Sequence, residues 1–472
     1  MIPTLTPTLQ TIFLSFSSCF TAPGLANFSC LVTGVILCQG RHTITRVIQA
    51  AGDLAGDKHH STFYDFLGEG RWVVDELGRV LLTLLLPFLG SEIVAPVDDT
   101  LFKRGGPHFW GAGMHHDASR STYGRHTSAD GKAAFAFGHN WVVLAVWVSC
   151  PWDPGRGLAV PILFRLYRGK KRCPVSEYRK RTDLAADMIE VLASWLPGNR
   201  ILHVVADREY ASKTVIVRLP AGTRFSGSLG MDAALYAKPG RYRGNGRPRI
   251  KGKRLPSPAK LAKSKAKSAR WKSLTLSLYG KRVELLVKTQ VCLWNKIAKA
   301  GLFRVFVTRD PKGNYEDRAY LCTDPSISAE EFLAAFAKRW TVEVAFRNAK
   351  QSMGIGDPQN GWWRGKKPAK KRAGPNAKGK RGKRAAERTL PLFFLAYGIT
   401  LLWYLRHGKP QQDVALAMAE APWYRHKRQP SFADMLAALR QQLWAPRLFR
   451  GGRSEDTRSE TPPMLPRWLL AS

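Results

Sequence analysis

EIVAPVDDTLFK, Glu92 to Lys103, is the stretch whose reading decides the fold. It starts as an extended apolar run and reaches two carboxylates, Asp98 and Asp99, before turning polar. Apolar residues on both faces suit a strand in the middle of a sheet rather than at a half-exposed edge. Carboxylates at the end of such a strand can project into a cleft without being buried within the sheet. Pro96 lacks the N–H that a central strand uses, so a bulge or an earlier strand boundary is expected there.

Working outward, residues 1–90 read as helical. GRHTITRVIQAAGDLAGDKHHSTFYDFLGEGRW holds two short helical pieces around a Gly/Asp turn, which suits either a helix-turn-helix DNA reader or an ordinary helical bundle. Beyond residue 91, HNWVVLAVWVS, LAVPILFRL, RILHVVADREY and TRFSGSL read as strands. SEYRKRTDLAADMIEVLASWLP is a helix with Leu184, Met188, Ile189 and Leu192 on one face, and SKTVIVRLP is a short helix or strand. RILHVVADREY resembles the first stretch in its ending: an apolar run closed by a carboxylate, Asp207.

Residues 228–324 interrupt this alternation. No acidic residue occurs between Asp232 and Glu284, and two hairpin-like strand pairs follow, turning at Tyr279-Gly280 and Lys312-Gly313. The expected organisation is a helical segment over 1–90, an α/β unit formed by 91–227 and 325–410, and a basic β-rich insertion over 228–324. A basic low-complexity loop over 361–388 and a helical C-terminal region over 411–472 complete it. The 16-residue apolar run Leu390 to Leu405 is short for a membrane span and is expected to be a buried core helix.

Composition narrows the function. The 472 residues carry 74 Lys and Arg against 35 Asp and Glu, a net charge of +39. Such an excess repels itself unless a polyanion shares the surface, and nucleic acid is the natural partner. A hydrophobic share of 44% and 15 tryptophans argue for a folded enzyme over a short basic structural binder of the ribosomal or chromatin kind. The seven cysteines are scattered and contain no C-x-x-C pair, which argues against a disulfide framework or zinc site and suits a reducing cytoplasm. Six candidate histidines lack metal-ligand spacing. No Gly-Lys-Ser/Thr follows Gly105-Gly106, so a phosphate loop is unsupported. The N-terminus lacks the basic start of a signal peptide.

FAKRWTVEVAFRNAK, Phe336 to Lys350, supplies a third carboxylate. Read as one helix, it places Phe336, Arg339, Glu343, Arg347 and Lys350 within about 80° of one another. Ala335, Val342, Ala345, Phe346 and Ala349 form the opposite, core-facing side. A lone Glu343–Arg pair would be worth only about 0.3–0.5 kcal/mol. Together with Asp98 and Asp207, however, Glu343 makes a hard-oxygen donor set suited to Mg²⁺ or Mn²⁺. Two such ions can drive phosphodiester chemistry, while the flanking cations grip phosphates.

These motifs resemble the DDE-type transposases of bacterial insertion sequences, in the cut-and-paste group with a Y-x2-R-x3-E-x6-K signature. Phe336, Arg339, Glu343 and Lys350 keep that spacing, with Phe in place of Tyr. Asp98-Asp99-Thr100 matches D-x-T, and Asp207-Arg208-Glu209-Tyr210 matches D-R-x-Y. Both Asp98 and Asp99 fit the strand pattern, and the motif's order selects Asp98. The resemblance implies an RNase H-like fold, a five-stranded mixed sheet with flanking helices. It further implies Asp98, Asp207 and Glu343 as catalytic metal ligands and Arg339 and Lys350 as DNA contacts, with Phe336 stacking beside them; Arg347, a flanking cation on the same stripe, is a further candidate DNA contact. The implied reaction is cleavage at terminal inverted repeats and joining to target DNA, through a hairpin intermediate and as a homodimer on paired ends. Trp271 and Trp294 are candidates to hold a flipped base. A non-catalytic basic nucleic-acid binder and another RNase H-like nuclease are the alternatives.

Overall fold

The computed structural model describes residues 5–104, 109–117, 134–242, 244, 247–266, 270–278, 281–298, 301–358, 379–421 and 423–448. Gly105-Gly106, Tyr279-Gly280 and residues 361–378 of the expected basic loop lie outside them. Five helices come first: α1 (Pro7–Leu14), α2 (Ala22–Leu37), α3 (Ile44–Ala51), α4 (His60–Gly68) and α5 (Val74–Leu85). Strands β1 (Glu92–Lys103), β2 (Gly113–His116), β3 (Phe135–Cys150) and β4 (Asp153–Tyr167) follow. After α6 (Arg181–Trp195) come β5 (Ile201–Ala206), α7 (Lys213–Val217) and β6 (Arg224–Leu229). The insertion contributes α8 (Pro258–Lys263), β7 (Lys272–Leu278), β8 (Lys281–Leu293), β9 (Leu302–Arg309) and β10 (Arg318–Cys322). The chain continues through α9 (Ala329–Ala337), α10 (Trp340–Ser352), α11 (Gly379–His407), α12 (Pro410–Glu420) and α13 (Phe432–Leu448).

At the centre lies the expected five-stranded mixed sheet, in the order β4-β3-β1-β5-β6. β3 runs antiparallel to β1 and β4, whereas β5 and β6 continue parallel to β1. This is an α/β, RNase H-like arrangement. Ile93 to Val97 are all buried, as a strand covered on both faces requires. Pro96 causes no bulge. Its register with β5 passes unshifted through Pro96↔Val205, and the β3 ladder starts one residue later at Val97↔Leu144. The missing N–H therefore falls outside the β3 ladder.

The insertion does not form a separate sheet. β10 pairs antiparallel with β6, and β9, β8 and β7 extend the same sheet outward. The second hairpin turns as expected around Gly313, whose φ of +70° favours glycine.

The N-terminal helices share the central core rather than standing apart. Asn27 to Leu37 of α2 are buried on every side, the mark of an interior helix. At Gly34 a Cβ would lie 2.1 Å from the Val47 carbonyl oxygen, so glycine is what allows α3 to pack this closely. The apolar run 390–405 lies within α11, where Thr389 to Tyr404 are all buried. Among the described residues α11 is the one helix long and apolar enough to cross a membrane, and its apolar stretch is wholly covered by protein. Residues 379–388 belong to α11 and correct the expectation that they continue a basic loop. α13 opens as Ser431 and Asp434 predict: each backbone N–H donates to the other's side chain.

Candidate active site

Register brings Asp98 and Asp207 together, although Asp98 and Asp99 do not close β1 as expected: the strand continues to Lys103 against β3, and only its pairing with β5 ends at Val97. β1 and β5 are parallel neighbours, and their last pair is Val97↔Ala206, so Asp98 and Asp207 follow it side by side. Residues level on adjacent strands share a face. The Asp207 Oδ1 accepts N–H bonds from Glu209 (2.9 Å) and Tyr210 (3.4 Å), an Asx-turn that ends the strand and fixes the carboxylate.

Asp99 points to the other face, as alternation demands. Its Oδ2 accepts from Asn140 Nδ2 (2.8 Å) and Arg181 Nη1 (3.1 Å), and its Oδ1 from the Tyr210 hydroxyl (3.3 Å). Arg181 also donates through Nε to Glu209 at 2.7 Å. Asp99 thus ties β1 to α6 and to the turn that holds Asp207. Sequence reading missed this network because its partners are far apart in the chain; Tyr210, within its D-R-x-Y match, was the one local signal.

Glu343 arrives from the helical layer, but not on one continuous helix. The stretch 336–350 divides at Lys338-Arg339, where Arg339 N–H bonds to the Phe336 carbonyl (3.0 Å) and Val342 N–H to the Arg339 carbonyl (3.2 Å). These three-residue steps tighten the chain between α9 and α10. α10 buries Val342, Ala345, Phe346 and Ala349 as expected, and Glu343 sits in its first turn, where the helix dipole favours an anion.

Arg339 joins the pieces. Its Nη1 contacts Asp98 Oδ2 at 3.3 Å and its Nη2 contacts Glu343 Oε1 at 2.9 Å. Burial pushes the Asp98 carboxyl up to about 8; Arg339 opposes this, and the charges of Asp99 and Asp207 add to it. Glu343 is raised by burial, with Arg339 opposing and Asp207 adding. Asp207 thus raises both Asp98 and Glu343, and a site crowded in this way favours added positive charge.

The other expected contacts divide. Arg347 is exposed. Lys350, also exposed, places Nζ over the Phe102 ring at 4.9 Å, about 10 Å along α10 from Glu343. Phe336 is not beside the carboxylates. Its ring packs with Phe332 (5.7 Å) and Tyr320 (4.9 Å) in a satellite core over β9 and β10, because the break at Lys338 turns it off the Glu343 stripe. Trp294 packs edge-on against Phe303, while Trp271 carries Lys288 and Arg309 over its ring at 4.6 and 4.4 Å.

The donor set suits a hard divalent ion: carboxylate oxygens only, two of them from neighbouring residues. Among the described residues no group of three or more His, Cys, Asp or Glu side chains is already arranged to hold a metal, and Arg339 stands between two of the three carboxylates here.

No curated protein matches the chain. A family model described as DDE superfamily endonuclease matches residues 15–282, a span that contains Asp98 and Asp207, with Glu343 beyond it. Such endonucleases act on DNA and generally use divalent metal ions. With more than half its length matched, and with Asp98 brought level with Asp207 by the parallel pairing of β1 and β5, the chain belongs to the DDE superfamily of endonucleases.

Proposed function

We propose that the chain is a transposase of an insertion sequence, with Asp98, Asp207 and Glu343 as the ligands of two Mg²⁺ or Mn²⁺ ions. The observation that carries this reading is the meeting of the three carboxylates: two level on β1 and β5, the third reached through Arg339. When bound, divalent ions supply Lewis-acid charge at the scissile phosphate and make water a better nucleophile. Exposed Arg347 and Lys350 hold phosphates along the DNA backbone beside α10. Water attacks the phosphorus at the element's end and the 3′ oxygen departs. The freed 3′-hydroxyl then attacks the opposite strand to make a hairpin, displacing the flanking DNA's 3′ oxygen; a second water hydrolyses the hairpin phosphodiester, and the regenerated 3′-hydroxyl attacks target DNA. A homodimer pairs the two terminal inverted repeats. Phe336 has no stacking role in this reading, since its ring is committed to Phe332 and Tyr320.

The test is end cleavage by Asp207→Asn and Glu343→Gln. Each is expected to lose roughly a thousandfold or more in rate, the scale seen when a group acting in the transition state is removed, with duplex binding retained. Undiminished cleavage by both variants overturns the assignment. A pre-cleaved end with a 3′-hydroxyl, supplied with plasmid target, separates a transposase, which joins them, from a plain nuclease.

A further inference from the structure

Arg339 holds two of the proposed metal ligands at once. Its two terminal nitrogens reach Asp98 Oδ2 on the central strand and Glu343 Oε1 on α10, at 3.3 and 2.9 Å. The guanidinium is mostly buried, at 19% side-chain exposure, so this pairing is little screened by solvent. It also supplies the positive charge that opposes crowding by Asp99 and Asp207 around Asp98, and by Asp207 at Glu343.

We propose that Arg339 competes with divalent metal for Asp98 and Glu343, and that a DNA phosphate relieves the competition by drawing the guanidinium away. This rests on reading the three carboxylates as the metal ligands.

The chemistry of the fork makes the two roles exclusive. Paired grip on a phosphate uses two parallel N–H groups, and both terminal nitrogens are engaged by the carboxylates. The backbone at Arg339 is fixed on both sides by the tight junction of α9 and α10, so the exchange is a side-chain swing with no helix movement. With the guanidinium on a phosphate, three carboxylates remain with one fewer counter-charge and bind a cation more strongly. Linkage makes the effect reciprocal: if DNA raises metal affinity by a factor, metal raises DNA affinity by the same factor. The arrangement keeps metal binding weak until DNA is in place, which limits unproductive hydrolysis.

The test uses the full chain, Mn²⁺ and a 30-base-pair duplex of arbitrary sequence. Mn²⁺ affinity is measured calorimetrically without DNA, and duplex affinity by fluorescence anisotropy with and without Mn²⁺. Arg339→Ala is expected to bind Mn²⁺ about tenfold more tightly than the unmodified chain, within the usual range of coupling. Its duplex affinity, lower overall, is expected to lose its dependence on Mn²⁺. Arg339→Gln, which removes the charge and both terminal nitrogens but keeps a polar side chain, carries the same test should the alanine variant fail to fold. If neither variant gains Mn²⁺ affinity while Asp98→Asn and Glu343→Gln lose it, competition is wrong and the ligand assignment stands. If Asp98→Asn and Glu343→Gln bind Mn²⁺ as well as the unmodified chain, the ligand assignment itself fails.

Discussion

Asp98 and Asp99 adjoin in sequence and face opposite sides of the sheet. Asp98 looks toward Arg339 and the helical layer of α9 and α10; Asp99 looks toward Arg181, Asn140 and Tyr210. The pair was not separable by pattern, because β1 is apolar on both faces and alternation has nothing to align against. The two substitutions should therefore differ in kind. Asp98→Asn is expected to lose cleavage with little loss of stability, since it relieves a crowded buried charge. Asp99→Ala strands the donors of three partners and is expected to cost about 1–3 kcal/mol in urea unfolding. Residual cleavage by Asp99→Ala at a temperature where it stays folded would mark it as a positioning residue. Equal loss of stability in the two variants would refute the division. Phe336 shows where the reading of 336–350 as one helix failed: the spacing was right, but one turn of tightened helix set its ring against Phe332 and Tyr320.

At the scale of elements, the sequence showed most strands and helices, because buried strands and amphipathic helices carry their own periodicity. What it could not show was how their ends are tied. Arg104, just past β1, donates through Nε to His139 Nδ1 on β3 (3.0 Å) and through Nη1 to the carbonyls of Gly356 and Pro358 beyond α10. His139 Nε2 in turn donates to the Trp110 carbonyl at 2.8 Å. This clamp joins the strand bearing Asp98 to the far end of the helix bearing Glu343. Burial, with the Arg104 charge adding, lowers the His139 imidazole from 6.5 to about 3. Its folded value lies below its unfolded one, so this contribution to stability is fully present above pH 6.5. It is lost as pH falls toward 3, because the unfolded chain takes up a proton that the folded ring refuses. The slope is up to about 1.4 kcal/mol per pH unit for this one group. Urea unfolding between pH 6.5 and 4 should show a shallower pH dependence in His139→Gln, by close to one proton. An unchanged slope would show that the clamp does not hold the ring neutral.

Over the whole molecule, the least legible feature was the continuity of the sheet. The pairing of β6 with β10 joins Leu229 to Ala319 across the entire insertion, and no local pattern announces so distant a partner. The consequence is geometric. β8 and β9 lie three to four strand spacings from β5, about 14–19 Å to the side of Asp207, and Lys288 and Arg309 alternate with Val287, Thr289 and Phe306, so they point to the face of the sheet opposite the carboxylates. There a cavity lined by Lys263, Lys265, Arg270, Lys288 and Arg309 surrounds Trp271. Lys288 is turned inward, donating to the carbonyls of Leu261, Ala262 and Ser264, and Arg309 is paired with Asp317. Lys263, Lys265 and Arg270 are exposed. If DNA crosses both regions, each of these three side chains that meets a phosphate contributes about 0.9 to the slope of log affinity against log salt. Changing all three to glutamine is expected to lower the slope by about 2–3 and to weaken binding equally for every sequence, since phosphates carry no base information. Anisotropy titrations from 50 to 200 mM salt, on two duplexes of unrelated sequence, measure both quantities. An unchanged slope would place the DNA path away from the insertion and leave its positive charge without a role at the cleaved end.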